Sequence, residues 1–85
     1  MTAYELKERH LNRYPNSHFF DRDTLKFFGE TMSRMSVGKY PVLVTDACGV
    51  QRKAYCLSSL QRKAPGGPRR AYHYFDTNTY EHIIT

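Results

Sequence analysis

Apolar residues recur every three or four positions between residues 22 and 36, which is the period of an amphipathic helix. The positions that share this face are Leu25, Phe28, Met32 and Met35. Asp21 is a suitable N-cap immediately before the segment, and Gly38 is a suitable C-terminal stop after it. The pattern predicts a helix over residues 22–36 that provides the main apolar face of the core.

An earlier helix is predicted over residues 3–13. Thr2 and Glu5 have the spacing of a capping box, in which the Thr2 hydroxyl accepts from the amide of Glu5, and Pro15 ends the segment. Its apolar stripe is thin and consists of Tyr4, Leu11 and Tyr14. We therefore expect this helix to dock on the core rather than to lie at its centre.

After Gly38 the period of the apolar positions changes from 3.6 to 2, which is typical of strands. The segments that show it are KYPVLVTD (39–46), VQRKAYCLSS (50–59) and RRAYHYFD (69–76). The turn from Asp46 to Gly49 suits a short hairpin loop with Gly49 in the left-handed conformation. In that register Val42, Val44, Ala54 and Cys56 share one face, which we expect the helices to cover.

The order of these elements predicts one α+β domain over residues 1–85. Two N-terminal helices would pack on a three-stranded antiparallel β-meander. The tail from 77 to 85 adds either a short fourth strand at an edge or a helical turn, and the sequence favours neither.

The chain has 85 residues, of which 40% are hydrophobic, enough for one small core but not for a deep active site that excludes water. We therefore expect binding rather than catalysis, with no catalytic residues and no cofactor. No run of about 18 apolar residues and no apolar signal-peptide segment is present. The sequence thus predicts a protein that stays in the compartment where it is made and has no membrane partner.

The net charge of +5 is concentrated in one part of the chain. Residues 1–46 carry seven basic and six acidic side chains, whereas residues 47–75 carry six basic side chains and no acidic one. The basic segment is centred on the stretch QRKAPGGPRR (61–70), whose Pro65-Gly66 pair suits the centre of a type II turn. A stiff, projecting basic hairpin loop is the prediction.

This basic loop predicts contact with a polyanion. The candidate contacts are Arg62, Lys63, Arg69 and Arg70, to which Arg52 and Lys53 would add if the strand register turns them the same way. Tyr72 and Tyr74 alternate with Arg70 on one face, as in sheets that stack bases. Two alternatives remain: an acidic protein partner, and a solvated loop that guards a sheet edge. The sequence disfavours a nucleotide-binding P-loop, since the motif of such loops is absent and Pro65 and Pro68 lack amide protons.

Other candidate chemistry is weaker. Cys48 and Cys56 lie about 25 Å apart along an extended chain, too far for a disulfide between them. The four histidines lack zinc-ligand spacing, so a metal site would require His73, His82 and Cys56 to converge in the fold. Asp21 and Asp23 suit helix capping better than acid–base catalysis. Among the phenylalanines, an exposed Phe19 or Phe27 would be a candidate anchor for a protein interface.

The blocks SHFFDRDTLKFFG (17–29) and LQRKAPGGPRRAYHYFDTNTYEHI (60–83) cover nearly half of the chain. Together they resemble a family of small accessory proteins from bacteriophages and prophages. The resemblance implies a protein that acts in the cytoplasm of a host bacterium, and it implies no catalytic residues.

The function expected from the sequence is therefore non-enzymatic binding of nucleic acid, or of a host nucleoprotein complex, through the basic loop. An alternative is an anti-defence protein, such as an anti-CRISPR inhibitor, that binds a host protein directly. A small zinc-binding protein is a third hypothesis.

Overall fold

The computed structural model describes residues 1–61 and 65–85 and forms an α+β fold with an antiparallel sheet. The helices are α1 (Ala3–Arg13), α2 (Arg22–Phe27) and a 3-10 turn (Met32–Arg34). The strands are β1 (Met35–Val37), β2 (Val42–Thr45), β3 (Gln51–Gln61), β4 (Arg69–Asp76) and β5 (His82–Ile83). No helix in the described ranges is both long and apolar enough to cross a membrane.

The first helix has the predicted bounds and the predicted cap. The amide of Glu5 donates to Thr2 Oγ1 at 3.1 Å, which satisfies one of the unpaired amides of the first turn. The predicted apolar stripe is wrong, however, because α1 buries Ala3, Leu6 and His10 while Tyr4 stays 60% exposed. The imidazole of His10 takes a core position that a count of apolar residues alone does not reveal.

The second helix is much shorter than predicted. Its last helical residue is Phe27, and Gly29 follows with φ +73°. The amides of Gly29 and Glu30 donate to the carbonyls of Lys26 and Leu25 at 3.0 and 2.7 Å, which is the Schellman arrangement that ends a helix. Met32 and Met35 therefore leave the predicted helical face and enter a 3-10 turn and a strand that the sequence did not predict.

The N-terminal end of α2 also differs from the prediction in its hydrogen bonding. Asp21 occupies the N-cap position, but its side chain makes no hydrogen bond to a helix amide. One of its carboxylate oxygens, Oδ2, lies 2.7 Å from His18 Nδ1 instead. Phe20, immediately before the cap, and Leu25 in the first turn are both buried in the core, as the two residues of a hydrophobic staple are.

Replacing Gly29 with alanine should lower the free energy of unfolding by about 1 kcal/mol, since a β-carbon disfavours the left-handed conformation at this position. No atom lies within 4 Å of the place that the added β-carbon would take, so backbone strain alone causes the loss. Urea denaturation measures the change. Gly29→Asn is the matched variant and should lose less, because asparagine tolerates this conformation. Equal stability of Gly29→Ala and the natural chain would contradict the role of Gly29 as the helix stop.

The long strand β3 organises the sheet. It pairs along eight positions with β4, from Ala54↔Asp76 to Gln61↔Arg69. On its other side β3 pairs with β2 near its start and with β1 near its end. The strand order is therefore β1 and β2 together, then β3, β4 and β5. The tail forms the short edge strand β5, one of the two predicted alternatives.

The predicted turn between β2 and β3 is confirmed. Gly49 has φ +83°, as a left-handed loop position requires. The amide of Asp46 donates to the carbonyl of Val50 at 2.9 Å, which closes the loop. The Asp46 carboxylate accepts from the amides of Cys48 and Val50, both at 2.9 Å. These backbone hydrogen bonds, that of Val50 first, lower the pKa of Asp46.

The two faces of the sheet follow from the strand register, because directly opposed residues share a face. Leu57, His73 and Phe75 lie on the inner face, which the helices cover. Val42 shares a face with Ala54 and Cys56, as predicted, but it is the outer face rather than the helix-covered one. Val42 is 40% exposed, whereas Leu57 is fully buried. The predicted assignment of faces is therefore wrong.

The core lies between the inner face and the two helices. Its buried apolar members are Ala3, Leu6, Phe19, Phe20, Leu25, Met35, Leu57 and Phe75. The Phe75 ring is fully buried, stacks on Phe20 at 5.5 Å and meets Phe19 edge-on at 5.1 Å. Contacts between aromatic rings thus make up the centre of this core.

Candidate nucleic-acid interface

Three side chains of β4 form a row on the outer face of the sheet: Arg70, Tyr72 and Tyr74. Arg70 is exposed, Tyr72 is 55% exposed and Tyr74 is half-buried. We call these three residues the outer-face row. The alternation along RRAYHYFD predicted that they share a face, and the register confirms it.

Small side chains lie beside the two tyrosines. Ser58 of β3 is directly opposite Tyr72, and Cys56 is directly opposite Tyr74. Neither side chain is large enough to cover a phenol ring. Both described cysteine thiols are free, and burial raises the pKa of the Cys56 thiol, so it stays protonated at neutral pH. The two tyrosines therefore present aromatic surface beside small, uncharged side chains of β3.

Arg69 precedes the row in the chain and lies at the base of the hairpin loop, where the register places it with Gln61 on the inner side of the sheet. Its Nε donates to Gln61 Oε1 at 3.3 Å, and Gln61 Nε2 donates to the carbonyl of Phe28 at 2.7 Å. This chain of hydrogen bonds ties the base of the loop to the end of α2. Arg69 is exposed and uses only Nε here, which leaves its terminal guanidinium nitrogens facing solvent.

The loop itself is only partly described. Gly66 and Gly67 have φ values of +85° and +105°, and the first of these agrees with the predicted type II turn. The stretch 65–70 is exposed throughout. Arg62 and Lys63, two of the predicted contacts, lie outside the described residues.

Arg52 does not extend the row, although the register places it on the outer face. Its Nε lies 2.9 Å from Asp46 Oδ2, and its Nη1 lies 2.9 Å from Glu81 Oε2. The hydrogen bond and charge of Glu81 raise the pKa of Arg52. The guanidinium thus links the β2–β3 loop to the chain just before β5. Its charge is neutralised within the molecule, so we omit it from the candidate interface.

Lys53 is exposed but belongs to the opposite face of the sheet. It pairs with Leu43 and lies on the same side of β3 as Tyr55 and Leu57 of the inner face. A phosphate bound beside Arg70 would therefore lie across the sheet from Lys53. Of the six predicted cationic contacts, only Arg70 belongs to the outer-face row among the described residues, and Arg69 joins the candidate interface as an exposed cation at the base of the loop.

A buried hydrogen-bonded pair, Glu30 and His73, lies on the inner face behind the outer-face row. The Glu30 carboxylate is fully buried, and its two oxygens lie 3.0 and 3.1 Å from His73 Nε2. Since a carboxylate only accepts, Nε2 carries the proton of this hydrogen bond. Sequence reasoning missed the pair. The only signal was the position of His73 on the same face of β4 as Phe75.

The imidazoles of His10 and His82 also pack against the phenylalanine rings of the core. His10 Nδ1 lies 2.6 Å from the carbonyl of Tyr80, and its Nε2 lies 2.6 Å from Ser17 Oγ. The His82 ring packs 4.3 Å from Phe19 and 5.9 Å from His73 between centroids. Burial, with the nearby charges of His73 and His10, lowers the pKa of His82 to about 4. His82 is therefore neutral at pH 7.

These histidines do not form a metal centre with the other ligating side chains. Cys56 lies on the outer face and His73 on the inner face. In residues 1–61 and 65–85, no group of three or more histidine, cysteine, aspartate or glutamate side chains could hold a metal ion. The convergence that the zinc hypothesis required does not occur among the described residues.

The low pKa of His82 makes the stability of the fold depend on pH. Between its ordinary pKa of 6.5 and about 4, the unfolded chain binds a proton at His82 that the folded chain does not. The free energy of unfolding should therefore fall as the pH falls through this window, by about 1 kcal/mol after allowance for partial exposure of the ring. His82→Gln should lack this part of the loss. If the stabilities of the two proteins fall in parallel between pH 7 and pH 4, His82 is not the cause of this part of the pH dependence.

An exposed aromatic pair lies at the end of α2. Phe27 is 85% exposed and meets Phe28 edge-on at 5.4 Å, while Phe28 is itself 41% exposed. Lys26, Gln61, Pro65 and Arg69 line the same surface depression as this pair. Phe19, the other predicted anchor, is buried in the core. The exposed apolar surface thus adjoins the base of the basic loop.

Comparison with family models, with curated proteins and with solved structures finds no match to this chain. Assignment of a function therefore depends on the geometry of the candidate interface.

Proposed function

We propose that this protein is a non-enzymatic binding protein that engages single-stranded nucleic acid through the outer-face row and the adjacent basic loop. The observation that carries the proposal is the row itself. Arg70 and two tyrosines share the outer face of β4, and Arg70 and Tyr72 are exposed. A cation beside aromatic rings on an open sheet is the arrangement that binds phosphate and stacks bases.

The spacing of the row suits successive bases. Alternate residues of a strand lie about 7 Å apart, so Tyr72 and Tyr74 can each offer a ring to a different base. Stacking on an aromatic side chain contributes about 1–3 kcal/mol per base and is largely independent of sequence. An extended single strand exposes its base faces, whereas a duplex does not. The tyrosines therefore favour a single strand over duplex DNA as the ligand.

The cations supply the electrostatic part of the proposed binding. Arg70 belongs to the row and Arg69 lies exposed beside it in the chain, at the base of the loop. Arg62 and Lys63 precede the same turn in the sequence. Each basic side chain that neutralises a phosphate releases counterions, which makes the affinity depend on salt. The resemblance to phage accessory proteins supports a setting in the cytoplasm of a host bacterium. In that setting the ligand would be a single strand, free or within a host nucleoprotein.

Binding of a labelled oligothymidine, followed by fluorescence anisotropy at increasing salt, tests this proposal. For single strands the slope of log affinity against log salt is about −0.7 per phosphate contact. Two contacts from Arg69 and Arg70 predict a slope of about −1.4, and four contacts from the whole loop predict about −2.8. Absence of binding at low salt would refute the proposal.

A second candidate is supported by the exposed phenylalanines. An anti-defence protein that binds a host protein directly would need an apolar anchor, and Phe27 is 85% exposed. A pull-down from bacterial lysate, divided into nuclease-treated and untreated halves, separates the two candidates. Partners that persist after nuclease treatment and are lost with Phe27→Ala would favour direct protein binding. Partners that disappear on nuclease treatment would favour nucleic acid.

A further inference from the structure

The hydrogen-bonding direction of each β4 residue can be read from two bonds at the end of the strand. The amide of Thr77 donates to the carbonyl of Lys53 at 3.1 Å, toward β3. The amide of Asp76 donates to the carbonyl of Glu81 at 2.9 Å, away from β3 and toward β5. Because the direction alternates along an antiparallel strand, odd-numbered residues of β4 bond to β3 and even-numbered residues face the other way.

The far edge of β4 is covered over only part of its length. Strand β5 pairs with Tyr74 and Phe75 alone. Strand β5 ends at Ile83, and among the described residues no backbone hydrogen bond joins Ile84 or Thr85 to β4; the carbonyl of Ile84 accepts instead from the amide of Ala47 at 2.8 Å. The amides and carbonyls of Arg70 and Tyr72 therefore point to an edge that no described residue covers. Four backbone hydrogen-bonding groups are available there.

A shallow groove of about 200 Å³ borders this edge. Phe28 lines it from the inner face and Tyr72 from the outer face, and Ile84 and Thr85 line it where β5 ends. No acidic side chain is among its lining residues. An extended segment in this groove would continue the line of β5 and would pair antiparallel with β4.

We propose that this edge of β4 binds an extended acidic peptide segment of a partner protein by strand addition. The charge of the site selects this occupant, because Arg69 and Arg70 lie at the open end of the edge and both are exposed. A second copy of this chain fits less well. Each copy carries a net charge of +5, and self-pairing would bring the arginines of both copies to one ladder. The inference goes beyond the proposed function because it uses the backbone of β4 rather than the side chains of its outer face.

The register also predicts which side chains of the added segment lie on each face. Residues opposite Arg70 and Tyr72 would turn their own amides toward β4 and their side chains to the outer face. Acidic residues at these positions would lie beside Arg70. Apolar residues at the alternate positions would lie toward Phe28.

A synthetic peptide with alternating aspartate and valine, acetylated and amidated at its ends, is the probe. We expect saturable binding by fluorescence anisotropy and none for the matched peptide with lysine in place of aspartate. N-methylation of the aspartate amides should weaken binding about tenfold or more, because it removes the hydrogen bonds to β4. N-methylation of the valine amides should leave the affinity nearly unchanged. Equal effects of the two methylation patterns, or no binding of the unmodified peptide, would overturn the proposal.

Amide hydrogen exchange gives a second readout on the natural chain. In the free protein the amides of Arg70 and Tyr72 should exchange rapidly, while those of Ala71 and His73, bonded to β3, should be protected. The peptide should protect Arg70 and Tyr72. If protection of these two amides instead rises with protein concentration in the absence of peptide, a second copy of the chain is the occupant, and the proposal of an acidic peptide is overturned.

Failure of this inference and failure of the proposed function are distinguishable. Tyr74→Ala removes a stacking ring at a position where β4 is already paired with β5, so the open edge at Arg70 and Tyr72 is kept. It should weaken oligonucleotide binding and still preserve the difference between the two methylated peptides. Loss of that difference with oligonucleotide binding intact would count against strand addition alone.

Discussion

Replacing His73 with alanine is expected to lower the free energy of unfolding by about 3 kcal/mol, because it leaves the buried Glu30 carboxylate without its partner. The carboxylate is fully buried, and His73 Nε2 at 3.0 Å is its one hydrogen-bond donor among the described residues. The substitution also removes an edge-on contact with Phe19 at 5.1 Å. A domain of this size has about 5–10 kcal/mol of total stability, so the midpoint of urea unfolding should fall sharply.

Two matched variants separate the charge from the packing. Glu30→Gln keeps the volume of the side chain and an oxygen that can accept from His73, so it should cost only about 1 kcal/mol. The double substitution Glu30→Leu with His73→Ala removes both partners and should recover part of the loss, since no unpaired carboxylate remains. A loss below about 1 kcal/mol for His73→Ala would show that the pair does not stabilise the fold.

The double charge reversal Arg69→Glu with Arg70→Glu is expected to weaken oligonucleotide binding by roughly 100-fold or more at low salt. It removes two phosphate contacts and places two negative charges beside the bound strand. Both side chains are exposed, so the midpoint of urea unfolding should change little. Fluorescence anisotropy with a labelled oligothymidine measures the loss.

The matched control for this variant reverses two charges elsewhere. Lys7 and Arg13 belong to α1, which covers the inner face of the sheet. Lys7→Glu with Arg13→Glu changes the net charge by the same amount and should retain most of the affinity. If the two double variants weaken binding equally, the interaction depends on net charge and not on the hairpin base.

The parts of the fold that local signals determine were predicted correctly. The Thr2 cap set the start of α1, Gly49 set the turn between β2 and β3, and the apolar alternation set β4. These features involve residues at most a few positions apart. Propensity, capping and period therefore suffice to locate them.

The parts that depend on distant contacts were not predicted. The helical period from Leu25 to Met35 was real in the sequence, but Gly29 ended the helix and Met35 paired with Ser59 across the sheet. Glu30 and His73 are 43 positions apart, and no local pattern joins them. Pairing between distant segments can therefore override the local preference for a helix that the apolar period indicates.

The candidate interface shows the same division. The alternation of Arg70, Tyr72 and Tyr74 followed from the period of a strand and was confirmed by the register. Arg52 pairs with Glu81, 29 positions away, and is therefore not available to a ligand. The sequence could not predict this pairing, because no local pattern joins the two residues. Charge counts therefore locate a basic segment but do not show which of its charges are neutralised within the fold.

Nuclear magnetic resonance mapping tests the central claim most directly. Titration of the isotope-labelled protein with oligothymidine at low salt should shift the signals of Arg69, Arg70, Tyr72 and Tyr74, while Lys53 and α1 stay unchanged. That result would place single-stranded nucleic acid on the outer face of β4. Absence of shifts at saturating oligonucleotide, or shifts confined to Phe27 and Phe28, would contradict the proposed interface.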